Sequence, residues 1–135
     1  MTKAKTAVTP RLSLKDAYDA ERLKRDAARR EKEDAERRQQ EQDLARAEEL
    51  EAAIRADAGF LAEYKLVLDR RRYTVSLDHV DFRIAAYFEA GVASITSADK
   101  RSTLPGAAAP RKREQVDTVA GALAVMAQFL ADEFR

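Results

Sequence analysis

The one imidazole in this 135-residue chain, His79, stands in the run Asp78-His79-Val80-Asp81. An imidazole beside carboxylates is the minimal arrangement for proton transfer or for one corner of a metal site. Further ligands would be needed, and adjacent positions mostly point to different faces. The expected role of His79 is therefore a contact with Asp78 or with solvent at the start of an element. The chain has no cysteine, which removes thiolate nucleophiles, thiolate metal ligands and disulfides together. Its four glycines, Gly59, Gly91, Gly106 and Gly121, are scattered and form no phosphate-cradling loop. No serine sits in a nucleophile-elbow context. Carboxylates are plentiful, but they cluster on a segment with nothing to exclude water. The sequence predicts no catalysis, no cofactor and no metal site.

Cations offer the other chemistry. Arg70, Arg71 and Arg72 adjoin Tyr73, and from Lys100 to Arg113 there are five positive charges and no negative one. If the clusters holding Arg70, Arg71 and Arg72 and Arg111, Lys112 and Arg113 converged, or doubled in a dimer, they could neutralise about five to ten phosphates, enough for salt-sensitive nucleic-acid binding. The competing explanation is that arginines at a helix C-terminus complement its dipole. Net charge is only +1, so no global field draws the chain to nucleic acid or an anionic membrane.

The elements that must carry these residues are dominated by one feature. Lys24 to Asp43 holds no large apolar side chain, only Ala27, Ala28 and Ala35, yet nearly every residue in it favours a helix. Ser13 and Asp16 form a capping-box pattern at the start. Glu21–Arg25, Asp26–Arg30, Glu33–Arg37 and Asp34–Arg38 follow at i,i+4 spacing with the acid first, each adding about 0.2–0.5 kcal/mol. Beyond Asp43, the residues Ala47, Leu50, Ile54, Leu61, Tyr64 and Leu68 alternate three and four apart, with Asp57 in the intervening slot, as in a narrow coiled-coil stripe. The long helix is accordingly expected over 13–72, with a hinge at 57–59 and a flexible basic arm at 1–12.

The remainder reads as a small strand–helix–strand region at 73–102, with the helix carrying Val80, Ile84, Tyr87 and Phe88. A Pro/Ala-rich basic linker at 103–112 and an apolar helix at 113–135 complete the chain. The fold class predicted is mainly α: a long charged helix, a small α/β or helical head, and a C-terminal amphipathic helix. That last helix is apolar nearly all round, and the rest of the chain is expected to offer too little to cover it. Self-association is therefore expected through Leu50, Ile54, Leu61, Leu68, Val116, Val119, Leu123, Met126 and Leu130, most simply as a homodimer. Leu12, Leu14 and Tyr18 at the start of the long helix would face a protein partner.

The longest apolar tract, Val119 to Ala131, is too short to span a bilayer and carries Gln128. The N-terminal residues contain no apolar core of signal-peptide length. A cytoplasmic, non-catalytic adaptor or scaffold is the function expected, with no membrane role. Nucleic-acid association is the alternative.

Overall fold

The computed structural model describes residues 12–101 and 110–134. Its first element is the helix α1, Leu14–Arg55, 42 residues long. Ser13 starts it by accepting a hydrogen bond from the Asp16 amide at 3.2 Å. Among its i,i+4 pairs, Arg25 reaches Glu21 at 2.9 Å, while Asp26 pairs with Arg29 instead of Arg30. The chain divides by contact into two units, residues 1–36 and 37–135. Within the first unit, the described residues are solvated helix held by such pairs.

The second unit has a hydrophobic core. After α1 come a short helix α2 (Ala58–Glu63) and five strands: β1 (Val67–Arg71), β2 (Thr74–Asp78), β3 (Phe82–Glu89), β4 (Val92–Asp99) and β5 (Pro110–Val116). Helix α3 (Val119–Glu133) closes the chain. The strands form one antiparallel sheet in sequence order, a meander in which each pairs with the next. Two-residue loops, Arg72-Tyr73 and Ala90-Gly91, join β1 to β2 and β3 to β4. Ala90 and Gly91 both have positive φ, as a hairpin turn matched to the strand twist requires.

Alternation fixes which face is buried. Phe82, Ile84, Ala86 and Phe88 of β3 point inward, with Val75 and Leu77 of β2 and Ala93 and Ile95 of β4 beside them. Ala47, Leu50 and Ile54 from the C-terminal part of α1 and Ala122, Val125, Met126, Phe129 and Leu130 from α3 join the same core cluster. Among the described residues no helix lies on the opposite sheet face, where Thr74, Tyr87, Ser94 and Gln115 form one cross-strand row.

This architecture overturns the expectation of a mainly helical chain with a small α/β or helical head. The helix expected to run to 72 stops at Arg55, and 67–71 is an edge strand. Residues 82–89, taken for a helix carrying Ile84, Tyr87 and Phe88, form the central strand. Residues 110–116 are a strand, so the C-terminal helix begins only at Val119. The physical cause is pairing: ladder hydrogen bonds and burial of alternate side chains outweigh the local helix preference of Ala85-Ala86 and of the charged 111–115 run. The arm assigned to 1–12 is described only at Leu12, and positions 103–109 of the linker lie outside the described residues.

Helix and sheet are locked by polar contacts as well as by the core. Asp43, buried on α1, accepts from the backbone amides of Ala90 and Gly91 at 2.9 and 3.0 Å and from Gln39 Nε2 at 3.1 Å. Arg46 donates to the Gly91 carbonyl at 2.9 Å. At the other edge Arg70 Nε donates to Glu51 Oε1 at 2.7 Å, and Arg55 donates to the second oxygen at 2.8 Å. The Arg70 hydrogen bond is the main reason the Glu51 carboxyl is held below its ordinary range.

Candidate functional site

The described residues form an apolar groove of about 600 Å³. Its existence follows from where the helices stop. α1 ends at Arg55, Asp57 leaves helical geometry (φ −98°, ψ 44°), and α2 resumes with Phe60 and Leu61 turned toward α3. The break leaves a gap bounded by Ile54 on one side and by α3 on the other, with Leu77 of β2 at the bottom. Tyr64 and Phe134 meet at one end with their rings tilted by 46° and centroids 4.9 Å apart, and Phe60 packs on Tyr64 at 4.8 Å.

The α3 wall has a distinct relief. Leu123 stands out from it, 39 % exposed, and is followed at four-residue intervals by Ala127 and Ala131, both exposed. Phe60 opposes them at 44 % exposure. Large rims with small notches between them suit an inserted side chain better than bulk water. Asp57 is the one charged residue among those that line the groove. No cation lines it.

His79 lies close by but is committed elsewhere. Its ring stacks on Phe82 (4.6 Å, 13° between planes) and meets Phe134 edge-on at 5.4 Å. Nδ1 accepts from the Asp81 amide at 3.1 Å, which leaves the ring proton on Nε2. His79 is thus part of the β2–β3 turn, not a helix start. Among the described residues no group of three or more His, Asp or Glu side chains converges as a metal site would need.

The residues assigned to self-association are placed inside the second unit. Leu50, Ile54, Met126 and Leu130 are buried in its core, and Leu61, Leu68, Val116 and Val119 pack against it. The premise that the chain lacks material to cover its last helix fails, because five strands supply the cover. Leu123 is the exception. The buried face of α3 runs through Ala122, Val125, Met126 and Phe129, rotated from the stripe inferred from sequence, and this turns Leu123 out to the groove.

The cationic clusters do not form one patch of free charge. Arg70 is bonded to Glu51, Arg71 to Asp69 at 3.3 Å, Lys100 to Asp78 at 3.1 Å, and Arg101 to Asp99 and Glu133 at 2.9 and 3.1 Å. Lys112 pairs with Asp132 and lies over the Phe129 ring. Arg72 sits over Tyr73, and Arg113 is exposed on the uncovered sheet face, sharing a cross-strand row with Thr96. The side chain of Arg111 is outside the described residues.

At the start of α1, Leu12, Leu14 and Tyr18 are all exposed, and Arg22 donates to the Tyr18 hydroxyl at 3.1 Å. Sequence reasoning did not find Ala127, Ala131 or the Asp43 clamp. For Asp43 a signal was present, since it lies four residues before Ala47 and so continues the buried stripe Ala47-Leu50-Ile54. For the two alanines there was none. No family model, curated protein or solved structure matches the chain.

Proposed function

We propose that this chain is a non-catalytic adaptor that binds protein by taking an amphipathic helix into the groove between α1, α2 and α3. The observation that carries the reading is the groove's chemistry: apolar walls, two notches one helical turn apart at Ala127 and Ala131, and Asp57 as the one charged residue among the described lining residues. Helix-in-groove recognition uses anchors at i, i+3 or i+4, which is the spacing those notches accept. The occupant carries a cation beside its apolar stripe, to meet Asp57. A cytoplasmic setting is part of the same proposal; among the described residues no helix is long and apolar enough to cross a membrane.

Nucleic-acid binding through 70–72 and 100–113 is the weaker reading. Arg70, Arg71, Lys100, Arg101 and Lys112 already have carboxylate partners, and a phosphate would have to displace them.

The test uses a fluorescein-labelled model helix with leucines three and four residues apart, flanked by lysines. Fluorescence anisotropy with the full chain should give saturable binding, weakened at least tenfold by Ala131→Arg and by Leu123→Asp. A control helix with the leucines replaced by serines should not bind. Equal binding of both helices, or indifference to both groove substitutions, would sink the proposal.

A further inference from the structure

We infer that the helix seated in the groove is the start of α1 from a second copy of this chain, so that copies associate tip to groove. This rests on the reading of the groove as a helix site. Leu12 and Leu14 are the two most exposed large apolar residues described, at 102 % and 88 %, and Tyr18, one turn beyond Leu14, is 55 % exposed. Leu14 and Tyr18 are four residues apart, as are Ala127 and Ala131, so two knobs one turn apart meet two notches one turn apart. Lengths agree as well. Leu14 to Arg22 spans about 12 Å of helix, and the α3 wall from Leu123 to Phe134 about 16 Å.

Charge points the same way. Arg22 continues the Leu14–Tyr18 line by four more residues and is held on the Tyr18 ring, 6.0 Å from its centroid. An apolar stripe ending in a fixed cation complements an apolar groove in which Asp57 is the one charged residue among the described lining residues. The contact is heterologous: one surface is a helix start, the other a groove. Two reciprocal contacts close a dimer, and unreciprocated ones extend a chain.

A heterologous contact has a signature that a self-complementary one lacks. Leu14→Asp with Tyr18→Ala removes the tip and leaves the groove; Ala131→Arg blocks the groove at an exposed alanine and leaves the tip. Sedimentation velocity at about 100 μM should give assemblies of at least twice the 15.1 kDa chain mass for the unaltered protein and monomer for each variant alone. An equimolar mixture of the two variants should restore a 1:1 dimer held by one contact. Circular dichroism checks that each variant keeps its secondary structure, and Leu123→Asp serves as a second groove variant if the first does not.

A monomeric unaltered chain, or a mixture of folded variants that stays monomeric, overturns the tip-to-groove contact. If the monomer still binds the leucine–lysine model helix in an Ala131-dependent way, the groove remains a helix site with a different occupant. If it binds neither, both readings fall.

Discussion

Asp43→Ala should be among the most damaging single substitutions in the chain, although the residue lies at the end of a run that looks like solvated helix. Its carboxylate is 4 % exposed and accepts three hydrogen bonds, two of them from the Ala90 and Gly91 amides at the β3–β4 turn. A hydrogen bond to a charged group contributes about 1.5–3 kcal/mol. The three do not add in full, because Ala90 is exposed and water can take over part of the load. Ala at 43 also gains helix propensity of about 0.5 kcal/mol over Asp. The net expectation is a loss of about 2–3 kcal/mol, and about half that for Asp43→Asn, which keeps one acceptor.

Urea unfolding followed by circular dichroism measures the total. Hydrogen exchange at the Ala90 and Gly91 amides reports whether the turn is what has loosened. A loss below about 0.5 kcal/mol with unchanged exchange at both amides would refute the clamp, because the turn would then not depend on the carboxylate.

Two glycines in helices should respond with opposite signs. A Cβ at Gly59 meets nothing within 4 Å, so Gly59→Ala should stabilise by about 0.5–1 kcal/mol. At Gly121 it would come within 2.9 Å of Thr118 Oγ1 and 3.2 Å of Val116 Cβ, displacing the hydroxyl that caps α3. Gly121→Ala should therefore cost about 1–2 kcal/mol, and thermal melts of the pair decide both. Ser97 is buried in the core row between Ile84 and Lys112, and its hydroxyl has no hydrogen-bond partner. Ser97→Ala should raise stability by about 1 kcal/mol by removing an unmet desolvation cost, and a loss in the same urea assay would mean the hydroxyl is satisfied.

Glu51 gives a pH dependence whose sign is fixed by its depressed pKa. The folded chain binds its proton less readily than the unfolded one, so the contribution is present above the usual carboxylate range, about 4.3, and is lost as pH falls through the lower folded value. The melting temperature of the unaltered chain should exceed that of Glu51→Gln at pH 7, with the gap closing toward pH 3. A constant gap would mean the carboxylate's charge is not what ties β1 to α1.

The legible parts of the fold were those whose signals are local. Ser13 caps α1, and Leu50 and Ile54 mark its buried side, each readable from neighbours three or four residues away. The sheet was not legible because its signals are shared with helices. Val80, Ile84, Tyr87 and Phe88 lie at helical spacing, while Phe82, Ile84, Ala86 and Phe88 lie at strand spacing in the same stretch. Ala85-Ala86 blurs the alternation that would separate the two. β5 carries almost no apolar pattern, since its inward row is Lys112, Glu114 and Val116. Charge there suits an edge strand, where unpaired backbone must be kept from recruiting another chain, but along the sequence it resembles a linker. Leu68 fell on the heptad-like stripe by coincidence; it is a strand residue opposite Leu77.

The groove could not be seen at all from periodicity, because it arises from where α1 stops and which way α3 is turned. It is nonetheless poorly explained as a packing defect. A void in the helix layer could be closed by one or two larger side chains at Ala127 and Ala131, both on the exposed side of α3, where a leucine would have higher apolar burial at little helix cost. Instead the small residues sit in the notches while Leu123 and Phe60, the large ones, stand at the rim where burial is least. Stability alone would favour the reverse arrangement. Ala127→Leu with Ala131→Leu should therefore raise the melting temperature while abolishing capture of the model helix. A filled groove that still bound the helix would show that the notches are not where recognition occurs.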